Sequence, residues 1–83
     1  MLAIRLFARF RELARSDVLQ VSLPEGATVS DLCNQLMSLH PEWTELLRRS
    51  AVAVNDDYAS PDGILLATDD IALIPPVSGG SFI

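Results

Sequence analysis

The chain has 83 residues, an apolar fraction of 49%, one cysteine and a formal net charge of −5. That length makes one small domain burying ~60–65% of its unfolded surface, and that apolar content excludes a disordered chain. The acidic balance disfavours nucleic acid, whose phosphates it repels, and suits a basic protein partner; with Cys33 alone there is no internal disulfide, so packing must hold the fold.

The N-terminal residues lack the basic segment, apolar run and cleavage site of a secretory signal. No apolar run approaches the ~20 residues that cross a bilayer, so a soluble, cytoplasmic protein without membrane contact is expected. LAIRLFARF (Leu2 to Phe10) alternates with period two and predicts a strand. Ile4, Leu6, Ala8 and Phe10 are expected to face a core. Ala3, Arg5, Phe7 and Arg9 fall on the wetter face, where Phe7 either packs on arginine stems or meets a partner. RELARSD (Arg11 to Asp17) reads as a short turn or one helical turn. VLQVSLPEG follows with Leu19, Val21 and Leu23 inward, until Pro24 and Gly26 end the strand. The short connection predicts an antiparallel hairpin.

From Thr28 the period changes. Val29, Leu32, Cys33, Leu36, Met37 and His40 make one stripe of an amphipathic helix. Thr28 caps it, with Asp31 three residues on as a weaker capping box that also complements the helix dipole. Pro41 to Arg49 predicts a second short helix with Trp43, Leu46 and Leu47 inward. Ala51 to Asn55 is a short strand. Asn55 to Gly63 is rich in turn formers, with Tyr58 and Ala59 a brief edge strand. Asp69 and Asp70 make a turn before the last strand, Ile71 to Pro76, in which Ile71 and Leu73 oppose Ala72 and Ile74 in parity.

This order predicts an α+β fold of β-grasp type: a mixed sheet with one main helix across one face. The domain is expected over residues 1–76, with a flexible Gly-Gly tail over 77–83. The second sheet face is left open, where Phe7, Arg5, Arg9 and Ile74 fall.

Chemistry is sparse. His40 and Cys33 make at most half a metal site, and Cys33 on the apolar stripe reads as an inert buried thiol. His40 is expected to meet the last helix carbonyls. Asp56, Asp57 and Asp62 lack the ligand spacing of a calcium loop and read as a solvated turn. No Ser-His-Asp order or phosphate loop stands out, so the chain is not expected to be an enzyme alone or to hold a cofactor or metal. The tail is left. Pro75 and Pro76 direct the chain away from the sheet, Val77 and Ser78 extend it, and Gly79 and Gly80 give a backbone of minimal cross-section. Composition fits a frayed end or a segment built to thread a narrow channel.

LFARFREL (Leu6 to Leu13), AVN (Ala53 to Asn55) and DDIALIPPVSGG (Asp69 to Gly80) resemble the MoaD family of ubiquitin-like sulfur carriers, the small subunits of molybdopterin synthase. ThiS-type carriers share the fold and tail. The resemblance implies that an adenylating enzyme uses ATP to activate the glycine carboxylate. A sulfur donor then makes it a thiocarboxylate, and the large synthase subunit receives the tail and passes the sulfur to cyclic pyranopterin monophosphate. Carried over by position, Gly80 bears the reactive carbonyl and Gly79 gives access. Phe7, Ile74, Pro75, Pro76, Val77 and Ser78 bind the partner; Arg5 and Arg9 flank that surface with no assigned contact.

In the family pattern the second glycine is last. Here Ser81, Phe82 and Ile83 follow, so Gly80 has an amide where a free carboxylate is needed. Three readings fit: a peptidase removes the three residues, they are extraneous to the natural product, or the protein is a binding module that has lost sulfur transfer. Other sulfur routes (thiamine, cysteine or tRNA thiolation), a non-catalytic β-grasp interaction module and a protein modifier are the alternative functions. All six basic residues are arginines. That fits a GC-rich genome, and equally a carrier with no side-chain amine for its own activated end to acylate.

Overall fold

Five short strands form one sheet in the order β2-β1-β5-β3-β4 in the computed structural model, which describes residues 1–76. The strands are β1 (Leu2–Leu6), β2 (Val18–Val21), β3 (Ala51–Val54), β4 (Asp57–Tyr58) and β5 (Ile71–Ile74). The helices are α1 (Arg9–Ala14), α2 (Val29–Leu39) and α3 (Thr44–Arg48), with a 3-10 turn at Pro41–Trp43. β1 pairs β2 antiparallel and β5 parallel; β3 pairs β5 and β4 antiparallel. This is the β-grasp arrangement that the element order predicts. The expected tail, residues 77–83, lies outside the described residues.

The period-two pattern of β1 buries Leu2, Ile4 and Leu6 and exposes Ala3 and Arg5. It does not run on to Phe10. The strand ends at Leu6, whose N–H donates to Asp17 O (2.8 Å), and Ala8 turns the chain with φ 46° and stays exposed. Phe10 reaches the core from α1 instead, with none of its surface exposed. A spacing of four from Leu6 to Phe10 satisfies both the strand and the helix period, so alternation alone does not separate them. The hairpin connection is correspondingly longer than expected, and it contains α1. Arg9 leaves the sheet with it and pairs with Glu12 at 3.3 Å.

Gly26 takes φ 83°, in the left-handed region that glycine favours, just before α2. α2 then starts with a complete capping box. The Asp31 N–H donates to Thr28 Oγ1 (3.2 Å), and the Thr28 N–H donates to Asp31 Oδ2 (2.9 Å). Its Val29, Leu32 and Leu36 are buried in one cluster with Leu2, Ile4, Leu6, Val21, Val52, Ile71 and Leu73. Burying each leucine there contributes ~1.5–3 kcal/mol. Cys33 and Met37 pack partly against the same cluster. His40 ends the helix through its backbone N–H, which donates to Leu36 O (2.8 Å). Its ring does not seek the carbonyls but stacks on Trp43, with centroids 3.9 Å apart and planes 11° apart. Trp43 also meets Phe10 edge to face at 5.7 Å, closing the end of the core.

Candidate functional site

The helices cover one sheet face and leave the other open. The strand register puts Val18, Arg5, Ala72, Ala53 and Tyr58 side by side in one row across that open face. Period-two parity decides which side chains appear there. In β3, Val52 enters the core and Ala53 takes the other face; in β5, Ile71 and Leu73 enter the core and Ala72 and Ile74 take the other. Two adjacent alanines in the central strands leave a trough of about 250 Å³, lined by Arg5, Phe7, Ala53, Asp56, Tyr58, Asp70, Ala72 and Ile74.

Phe7 is 38% exposed and Tyr58 76%, so two aromatic rings border the trough with much of their surface in water. Arg5 reaches Asp70 with two hydrogen bonds, from Nε to Oδ1 (2.8 Å) and from Nη2 to Oδ2 (2.9 Å). The Arg5 guanidinium lies 5.5 Å from the Phe7 ring centre, a cation–π distance. Both partners of the ion pair are about half exposed, so it contributes ~1 kcal/mol at most. Its effect on the site is to cancel one carboxylate and hold Arg5 in place.

The acidic turn before β5 is held by Asn55. Asn55 and Asp56 have φ 53° and 72°, which makes the β3–β4 connection a tight two-residue turn. The Asn55 N–H donates to Asp70 O (2.8 Å), and its side chain accepts from the Asp70 N–H (2.9 Å) and donates to Asp69 Oδ1 (3.1 Å). Asp69 Oδ2 accepts from the Leu66 N–H (2.8 Å). The AVN and Asp-Asp segments therefore form one clamp. Asn tolerates the left-handed backbone that the turn demands.

The structure thus brings Phe7 and Ile74 into one trough with Arg5. Pro75, half-buried, and Pro76, exposed, follow Ile74 directly. Arg9 is not part of this surface. Val77, Ser78, Gly79 and Gly80 lie outside the described residues, as do Ser81, Phe82 and Ile83. The sequence reading missed Tyr58, Asp56 and Asp70 as members of the face. The alternation in AVAV and IALI was the available signal for its alanine floor. Cys33 is partly buried, and burial pushes its thiol above the ordinary value, which disfavours the nucleophilic thiolate. Asp62 accepts from Ser60 Oγ (2.9 Å) within its own turn. Among the described residues no three His, Cys, Asp or Glu side chains are placed to hold a metal ion. A wider hollow of about 500 Å³ lies beside α1, but its Arg11 is already paired with Asp17 at 2.9 Å.

Known proteins share this framework. The ThiS family model matches residues 4–80. A molybdopterin synthase sulfur carrier subunit of Arabidopsis thaliana is 34% identical over 77 residues, covering 93% of this chain and 80% of that protein. Its counterpart from Dictyostelium discoideum is 38% identical over 80 residues, covering 93% of each. The crystal structure of SAMP1 from Haloferax volcanii superposes with a TM-score of 0.78 at 31% identity, covering 95% of this chain and 98% of that one.

Proposed function

The chain belongs to the ThiS family, and we propose that it is the sulfur carrier subunit of a molybdopterin synthase. The observation that carries the reading is similarity along nearly the whole chain to proteins of that name, in two distant eukaryotes. The geometry supports it. β1 and β5 are parallel, with Leu6 opposite Leu73, so Phe7 and Ile74 share one end of the sheet. The chain leaves that end through Pro75 and Pro76 toward Val77, Ser78, Gly79 and Gly80. A partner seated on Phe7 and Ile74 lies beside the last described residues, Pro75 and Pro76.

In this reading a carboxylate at Gly80 attacks the α-phosphate of ATP on a separate adenylating enzyme, forming an acyl adenylate and releasing pyrophosphate. A sulfur donor displaces AMP and leaves a thiocarboxylate. On the large synthase subunit the thiocarboxylate sulfur bonds to cyclic pyranopterin monophosphate, and water cleaves the acyl C–S bond, leaving the sulfur on the pterin and a carboxylate on Gly80. The chain supplies delivery: a carboxylate is a poor electrophile until activated, a thiocarboxylate is a nucleophile, and glycines carry no side chain to obstruct a channel. Nothing in this route requires a cofactor bound to the carrier, and the transfer chemistry resides on its partners. A peptidase removes Ser81, Phe82 and Ile83 first, because an internal glycine offers an amide and not a carboxylate. ATP and the activating enzyme place the route in the cytoplasm. Among the described residues no helix is long and apolar enough to cross a membrane.

The similarity to the Haloferax protein favours a second reading. A related protein is named small archaeal modifier protein 1, and the same activated Gly80 transferred to a protein amine would make this chain a modifier. Intact mass of the protein from its native host separates these readings. A chain ending at Gly80, with one oxygen replaced by sulfur, is the expected result. Retention of Ser81, Phe82 and Ile83 in the presence of activating enzyme, ATP and sulfur donor overturns it in favour of a binding module. Mass added to other proteins favours the modifier.

A further inference from the structure

The trough on the open face is apolar at one end and acidic at the other. Phe7 and Ile74 form the end from which the chain continues to Pro75. β3 runs antiparallel to β5, with Ala51 opposite Ile74 and Val54 opposite Ile71, so the Asn55–Asp56 turn lies at the far end with Asp70. Between them Ala53 and Ala72 lie opposite each other and are 8% and 5% exposed, so the floor offers little beyond two methyl groups. Tyr58 stands on one side of that floor and Arg5 on the other.

The charges at the far end are not equivalent. Asp70 is held in a bidentate pair by Arg5. Asp56 is exposed, and among the described residues no cation lies within ion-pair distance of it. Once Arg5 and Asp70 cancel, the trough carries one net negative charge beside an exposed tyrosine ring.

We propose that this trough receives one long basic side chain, arginine or lysine, from the protein that docks on the open face. Its stem lies on Ala53 and Ala72 against Tyr58, and its charge meets Asp56. The proposal rests on the carrier reading, in which the large synthase subunit docks on this face. Three kinds of insert are distinguished by chemistry. An acidic side chain meets Asp56 and the carboxylates around it and is repelled. A purely apolar one fits the floor but strips water from Asp56 with nothing in exchange, which is costly. A long basic side chain satisfies both ends, because its stem is apolar and its head is charged. The tyrosine face adds a cation–π contact, and the chain's net charge of −5 steers a basic partner toward it. The Arg5–Asp70 pair acts as the opposite wall. It occupies the Phe7 side with a cation of its own and leaves Asp56 as the site for the incoming charge.

The test is binding of the full chain to the large synthase subunit of the same organism, at low and high salt. Asp56→Asn removes the charge while keeping a residue that tolerates φ 72°, and Asp56→Gly does so if the asparagine variant fails to fold. Asp57→Asn is the control, since Asp57 borders a separate hollow with Val29 and Ile64. The expected result is about tenfold weaker binding for Asp56→Asn, a shallower salt dependence, and no change for Asp57→Asn. Binding of Asp56→Asn equal to the native chain at both salt levels, with Phe7→Ala weakened, overturns the basic side chain and keeps the docking face. Native binding by both Asp56→Asn and Phe7→Ala overturns the docking face too. If the chain self-associates without the subunit and either substitution abolishes this, the occupant is a second copy and the proposal fails.

Discussion

The same strands build two unlike faces. Toward α2 they present Leu2, Ile4, Leu6, Val52, Ile71 and Leu73, all buried in one cluster. Away from it β1, β3 and β5 present Ala3, Arg5, Ala53, Ala72 and Ile74. Alanine is depleted in strands because it packs little against its neighbours, so a central pair of alanines gives up sheet stability that larger residues would supply. The covered face is shaped by the energy of its own packing. The open face carries the trough. Substitutions of similar size should therefore act on different quantities according to the face they touch.

The largest effect belongs to the covered side. Trp43 is buried, stacked by His40 and met edge-on by Phe10, so Trp43→Ala removes a large ring and both aromatic contacts. The expected loss is ~3–5 kcal/mol, a large share of the stability of a domain this small. Urea unfolding measures it. A loss below ~1 kcal/mol would mean that the end of the core is held by something other than this aromatic group.

On the open side the sign of the size change reverses. Ala53→Leu adds bulk into the trough on the open side, not into the cluster under α2. It is expected to change stability by less than ~1 kcal/mol, within the range of a β-propensity effect. If a partner docks on this face as proposed, binding to the large subunit should weaken at least tenfold, because the added side chain fills the trough. Calorimetric melting and binding on the same preparation give both numbers. If Ala53→Leu destabilises as much as Trp43→Ala, the two faces do not differ in kind and the open trough is ordinary core.

Much of this division is legible in the sequence. The parity of Ile4 and Leu6 against Arg5, the stripe from Val29 to Met37 and the Thr28 cap need only the two backbone periods and one hydroxyl. What is not legible has identifiable causes. Phe10 sits four residues from Leu6, a spacing common to strand and helix, so the helical turn expected from Arg11 begins earlier, at Arg9, and the departure of Arg9 from the sheet is hidden. β4 has two residues, too few to show a period, so it is found one residue earlier than expected and Tyr58 is missed on the face. Asp70 reads as a turn residue because its partner Arg5 is 65 positions away in the chain. The Asn55–Asp56 turn shows its composition in the sequence, but only the register of β3 against β5 reveals that it closes one end of the trough.

The smallest expected effect separates the faces by pH. Cys33 sits on the inward stripe of α2, and burial pushes its thiol above the ordinary value. The unfolded chain therefore loses this proton at lower pH than the folded chain. Below the ordinary thiol range both states keep the proton, and the group adds no pH dependence. As pH rises through about 8.5 the unfolded chain ionises first, so it binds fewer protons than the native state, and stability falls until the folded-state thiol ionises as well. Cys33→Ala should remove that alkaline component and leave neutral-pH binding to the large subunit unchanged, since the side chain lies on the covered side of the sheet. Urea midpoints of the two proteins, followed from neutral to strongly alkaline pH, should run parallel at first and then diverge, with the native chain falling faster. Curves that stay parallel throughout would show that the thiol is as well solvated folded as unfolded, and would move Cys33 off the buried stripe to which the helix period assigns it.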